Sequence, residues 1–352
     1  MMNKKRRDCL ADQSEYIAVD VVRFICSFLV MAIHFLIFED INKELNFWFT
    51  QVFCRWAVPF FFVTSGYFLA NKMGSKQAVK LYLRRILGLY IIYTVIYIPI
   101  IVESYKELGY SRIRGVSEFL RAFFLTGSFF HLWYFLALIV AIGILYWLIN
   151  KTKLSDEQIL GVTGALYCIG TLGNAYRNIW IYVPAVDKVF SLYESVFVST
   201  TNGIFFGAFF VMIGYYIRAK SADIKYRMYW LAALLLFGLM NIEEYFARSI
   251  TYHVGQSMLF TTPFVVTAIF LMVCFIRIPK RFAPVGVFLR NMSVLIYGFH
   301  AYIHFQYGGE ISGYVMHGFV YYFMIAKRVI ILSVIIWLLS RIKIFSWLKY
   351  LY

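Results

Sequence analysis

Hydrophobic residues gather along this chain in long runs, and the runs are broken by short clusters of charge, proline and glycine. Runs of that length suit a bilayer, whose hydrocarbon core of ~30 Å takes ~20 helical residues. They predict ten helices, at roughly 16–38, 47–69, 81–101, 132–149, 159–173, 202–217, 229–246, 257–276, 293–307 and 321–340. The fifth and ninth are short, which implies tilt or half-buried ends. The pattern therefore reads as all-α, a polytopic membrane helix bundle of about 10 transmembrane helices. No linker rich in Pro, Gly or Ser and no internal repeat divides it, so 1–352 is read as one membrane domain.

The polar residues inside these runs carry the candidate chemistry. A charge within hydrocarbon costs at least ~2.5–3.5 kcal/mol, so an ionisable group there implies a polar cavity. Arg23 and His34 interrupt the first run eleven residues apart. At about 100° per residue they return to nearly the same helix face, ~16 Å apart along the axis. One water-accessible cleft is expected to receive both. The bland reading is that Asp20 pairs with Arg23 only to stabilise a buried charge.

In the second run Arg55 precedes Pro59 and the pair Ser65-Gly66. A proline there can bend the helix and free backbone groups for a site, while the plainer reading is a kinked packing helix with Gly66 at a close contact. His131-Leu132-Trp133-Tyr134 opens the fourth run, where Trp133 and Tyr134 also suit an interfacial aromatic belt. Asn202, Glu243, Glu244, His253, Gln256 and Ser257 fall at the same outer level, where the sequence does not say which of them meet, and His300 stands mid-run with His304 one turn beyond. That last pair has neither the intervening Glu nor a third ligand of a zinc site, so no metal is expected.

Composition supports a membrane protein: 62% of the 352 residues are hydrophobic, 20% are aromatic, and mean hydropathy is +0.71. The formal net charge of +16 does not indicate nucleic acid, because 22 of the 34 basic residues fall on alternate inter-helix segments along one membrane face. By the positive-inside tendency those segments are cytoplasmic, as are both termini and a short amino-terminal segment at 1–15. Lys327 and Arg328 depart from this by lying in the outer half of the last run, where they either snorkel or line the cavity. Five dispersed cysteines form no disulfide framework. The run at 17–38 is too long for a signal peptide and is read as an anchor that stays. The long outer segments 102–131 and 174–201 are candidates for lids or re-entrant pieces.

Four of these motifs, in order along the chain, resemble the acyltransferase-3 family of integral membrane acyltransferases: the Arg23 and His34 pair, Val58 to Tyr67, His131 to Tyr134, and Ser293 to His300. Within it the chain most resembles the membrane domain of VanT-type serine racemases, through Arg55 to Tyr67, His131 to Ile139, Thr201 to Phe206, and Ile242-Glu243. In those proteins the membrane half is associated with serine uptake and a racemase domain follows. None follows Tyr352, which fits a free-standing relative or a piece of a longer chain.

The resemblance implies transfer of an acyl group, usually acetyl, from acetyl-CoA as co-substrate to a hydroxyl of a cell-envelope glycan or a small hydroxylic acceptor. No permanently bound cofactor is expected. Such a transfer needs a base near pH 7, a role suited to His34. Arg23 lies nearer the cytoplasm, where with Lys80, Arg84 and Arg85 it would meet the acyl-CoA donor. Arg55, Ser65, His131, Trp133, Tyr134, Asn202, Glu243 and His300 are the substrate-binding candidates. A bacterial cytoplasmic membrane, with a racemase or glycan-assembly enzyme as partner, is implied by the same resemblance. A carrier for serine stays open beside the enzyme, with Arg55 or Arg23 and Glu243 binding a zwitterion.

Overall fold

A computed structural model describes residues 16–221, 228–250, 258–307 and 317–352, and among them every regular element is helical. His253, Gln256, Ser257 and the segment 1–15 lie outside the described residues. Seven helices are long and apolar enough to cross a membrane: α1 (Ile17–Phe35), α2 (Lys43–Lys72), α3 (Lys76–Glu107), α5 (Trp133–Lys151), α9 (Tyr229–Ile250), α11 (Lys280–Gln306) and α12 (Phe319–Leu339). Three of the predicted runs form shorter helices, α6 (Asp156–Leu172), α8 (Gly203–Ala219) and α10 (Thr262–Phe275). All ten predicted runs are thus helical, with seven meeting the length and hydropathy of a span.

Local chemistry sets the ends. Ser75 caps α3 by accepting from the Ala78 N–H, and Ser155 with Gln158 forms a reciprocal capping box at the start of α6. α11 begins well before the predicted 293, because Arg290 does not end the helix: its guanidinium meets the Asp20 carboxylate of α1 at 3.6 Å, and an internally paired charge can stay within the bundle. α2 opens with a short α-helical stretch at Lys43–Phe47 and regains α-helical form at Ala57, so Pro59 falls in the first turn of that second stretch, where it is best tolerated. The irregularity lies just before it, in a π turn at Trp48–Val52 and a 3₁₀ turn at Phe53–Trp56 that carries Arg55.

The core is built on close helix contacts. α1 lies along α11, and α2 along α8, where Gly66 faces the Val211 carbonyl and Gly214 faces the Val63 carbonyl, so the two backbones touch with no side chain between them. Residues such as Leu81, Val95, Leu234 and Val320 stay exposed, as a surface turned to lipid requires. The expected lids are two short helices, α4 (Arg112–Arg121) and α7 (Pro184–Phe197), joined by Arg121 donating to the Val196 carbonyl at 3.2 Å. Neither buries a residue. Each turns an apolar stripe outward, Ile113, Val116 and Leu120 on one and Val189, Leu192 and Val196 on the other, as an interfacial helix does.

Candidate functional site

Helices α1 and α11 position most of the polar residues. On α1 the polar face holds Asp20, Arg23, Ser27 and His34; on α11 the series Arg290, Ser293, Tyr297, His300 and His304 advances by alternating steps of three and four along one face. Packed together, the two faces enclose a polar interior.

At the end that carries Arg23 this interior opens into a cavity of about 400 Å³. Arg23, Lys72, Arg85 and Arg290 bring positive charge to it, and Ser65, Tyr82, Tyr134, Ser293 and Tyr297 add hydroxyls. Asp20 lies between two of the cations, 3.7 Å from Arg23 and 3.6 Å from Arg290. One carboxylate beside four cations leaves the lining strongly positive, suited to a polyanion. The pairing of Asp20 with Arg23 is therefore real, but it holds a cation at a cavity wall.

The far wall is aromatic. Tyr297 packs against Tyr134 and Phe135 with ring centroids 5.6 and 5.5 Å apart, and its hydroxyl donates to the His131 carbonyl. Behind it the imidazoles gather. His131 lies 5.6 Å from the Tyr297 ring and 4.9 Å from His300, and His34 stacks on His300 at 5.4 Å with 20° between planes. His304 is bonded through Nδ1 to the Tyr321 hydroxyl at 2.7 Å. His131, His300 and His304 are buried, whereas His34 is half-buried. Arg23 and His34 share a helix face, as expected, but Arg23 lines this cavity and His34 does not; Tyr297 lines it, and His34 stacks on His300, whose ring lies 5.9 Å from that of Tyr297.

His300 has a defined tautomer. Its Nδ1 is 2.7 Å from the Tyr297 carbonyl and 3.3 Å from that of Ile296; carbonyls only accept, so Nδ1 carries the proton and Nε2 of the neutral ring carries the lone pair. That Nε2 is buried without a hydrogen-bond partner among the described residues. Buried polar atoms rarely stay unpaired, so such an atom marks a place for a ligand or reaction.

The other predicted residues have these surroundings. Arg55 donates to Gln51 Oε1 and interacts electrostatically with His34 and with Glu244. Glu244 is 1% exposed and its Oε2 has no hydrogen-bond partner among the described residues. Trp133 packs on Phe62 and Phe206. Asn202 caps α8, accepting from the Ile204 and Phe205 N–H groups at 2.9 and 3.2 Å. Arg328 lies over the Tyr307 ring at 3.5 Å, toward the bundle rather than toward lipid.

Glu243 receives the N–H groups of Phe260 and Thr261 at 2.7 and 2.8 Å, the Thr261 hydroxyl at 2.6 Å and the Tyr176 hydroxyl at 3.0 Å. It thereby caps the start of α10. Replacing Glu243 with Ala should lower the thermal midpoint in detergent by several degrees, through a loss of about 2–3 kcal/mol in charge-assisted bonds; an unchanged midpoint would remove this capping role. Tyr297 and Arg290 were not among the predicted site residues, although the three-four spacing from Arg290 to His304 places both on the histidine face.

Comparison with known proteins adds the following. A family model described as an acyltransferase domain matches residues 16–342. An amino-acid racemase of Enterococcus faecalis is 27% identical over 242 residues, covering 67% of this chain and 33% of its own length. A serine/alanine racemase of Enterococcus gallinarum is 28% identical over 261 residues, 72% of this chain and 36% of its own. The chain spans about a third of the length of these curated relatives. No solved structure matches it.

Proposed function

Because the chain belongs to the acyltransferase-3 family, we propose that it transfers an acyl group, acetyl in the first instance, from a cytoplasmic acyl-CoA to a hydroxyl of a cell-envelope glycan or a small hydroxylic acceptor. The observation that carries this reading is the sequence of environments along α1 and α11, a cation-lined cavity, an aromatic wall, and a cluster of imidazoles behind it. In this proposal ten helices cross a bacterial cytoplasmic membrane with both termini inside, 1–352 acts as one domain, and the cavity opens to the cytoplasm.

Each part then has a task. Arg23, Lys72, Arg85 and Arg290 hold the phosphates and pantetheine carbonyls of the donor, as guanidinium groups hold phosphate. Tyr297 turns aside to admit the acyl end. His34, the half-buried imidazole, accepts the proton of the attacking hydroxyl and returns it to the departing thiolate. Replacing Arg290 with Gln should raise the KM for acetyl-CoA tenfold or more while kcat changes less than threefold, the loss of one charge-assisted contact. Added salt should raise the wild-type KM in the same direction. An unchanged KM would take the donor out of this cavity.

A second reading has its own support in Arg55, which interacts with His34 and with the buried Glu244, a cationic and an acidic group that together suit a zwitterion. The relative named a serine/alanine racemase favours a small amino acid, with a racemase as partner. Purified protein in liposomes separates the two. Radiolabelled acetyl-CoA converted to an ester supports the transferase, and radiolabelled serine accumulated unmodified supports the carrier.

A further inference from the structure

His34 is not among the residues that line the donor cavity, and His300 stands between: its ring lies 5.9 Å from that of Tyr297, which lines the cavity, and 5.4 Å from that of His34. Resting on the acyl-transfer reading, we propose that His300 Nε2 is a nucleophile that takes the acyl group from the thioester before the acceptor receives it, so that transfer passes through an N-acyl-imidazole on α11.

Three observations converge on this nitrogen. The bond from Nδ1 to the Tyr297 carbonyl fixes the proton there, leaving the lone pair on Nε2. That Nε2 is fully buried and unpartnered among the described residues, which a histidine serving only to pack the core would not be. His34 stacks on the same ring, within reach of a group bonded to it. His131 is also buried, but its ring meets His300 edge-on, and the ring that His34 stacks on is that of His300.

The two steps balance. With Tyr297 turned from the His131 carbonyl, Nε2 attacks the thioester carbonyl carbon; the N–C bond forms, the C–S bond breaks, and the electron pair departs on sulfur as a thiolate beside Arg23 and Arg290. His300 keeps its Nδ1 proton, so the acylated ring is a cation and a reactive acyl donor. The acceptor hydroxyl then attacks the same carbon while His34 takes its proton. The O–C bond forms, the N–C bond breaks, and its electron pair returns to Nε2. The proton on His34 neutralises the thiolate, and the sum is thioester plus alcohol giving ester plus thiol.

An enzyme that works this way exchanges free CoA with acetyl-CoA when no acceptor is present. Purified protein in nanodiscs is given unlabelled acetyl-CoA and radiolabelled CoA. Wild type and His34→Gln should move label into acetyl-CoA, and rapid quenching should yield a peptide acetylated at His300. His300→Asn, whose amide can still donate to the Tyr297 carbonyl, should lose exchange at least 100-fold while binding acetyl-CoA within threefold of wild type. Should that variant fail to fold, exchange and the acetylated peptide in wild type decide. Ester formed on a cell-envelope glycan preparation without exchange would overturn the nucleophile and leave the transferase standing. Neither exchange nor ester in wild type would overturn the acyl-transfer reading and this proposal with it.

Discussion

Replacing His34 with Gln should abolish the proposed acyl transfer, by about three orders of magnitude, and leave the protein folded in the membrane. Removal of a general base costs typically 10²–10⁴ in rate, and glutamine near neutral pH cannot take a proton. The fold should survive because His34 is half-buried at the last turn of α1, stacked on His300 and edge-on to Phe130, and no side-chain hydrogen bond among the described residues depends on it. The check is ester formation from radiolabelled acetyl-CoA in proteoliposomes, beside a size-exclusion profile that matches wild type. Activity within tenfold of wild type, from a variant with that profile, would remove His34 as the base. Loss of ester with donor binding intact places the defect after donor capture, as its place outside the cavity lining requires.

Much of this arrangement was legible in the residues, for identifiable reasons. Long apolar runs have one stable outcome in lipid, so all ten predicted stretches are helical. Spacing within a helix is fixed by geometry, so the shared face of Arg23 and His34 and the turn between His300 and His304 followed directly. Ser65 and Tyr134 do line the cavity with Arg23, and His131 meets His300, on which His34 stacks. Contacts between distant segments were not legible. Asn202 and Glu243 were singled out as polar groups in apolar surroundings, which they are, but their partners are backbone N–H groups at helix starts, in the case of Glu243 seventeen and eighteen residues further on. The ninth predicted run starts only at 293, after Arg290, because a lone arginine ordinarily ends a span; the partner of Arg290, Asp20, lies on another helix. Tyr297 resembles any apolar-run tyrosine until its hydroxyl is seen on the His131 carbonyl.

The other large effect lies outside the chemistry. Val at Gly66 or at Gly214 should leave no monodisperse protein in detergent, because each glycine admits a backbone where a side chain would stand. A Cβ at Gly66 would occupy the place of the Val211 carbonyl, and one at Gly214 that of the Val63 carbonyl. Both obstacles are backbone atoms of packed helices, with no flexible side-chain end to swing away. Relief requires α2 and α8 to part, which opens the packing of Phe60, Phe62, Phe206 and Phe210, all buried at 2% exposure or less. Overpacking of this kind costs about 3 kcal/mol or more, and helix association in lipid draws on close packing more than on hydrophobic exclusion. The contrast is Gly143, inside α5, where an added Cβ meets nothing within 4 Å; Gly143→Ala should fold as well as wild type. α2 also carries Ser65 to the cavity and Arg55 to the neighbourhood of His34, so parting these helices would dismantle both halves of the site. If Gly66→Val and Gly143→Ala proved equally stable, the α2–α8 contact would not hold the bundle together, and the positions of Ser65 and Arg55 would need another support.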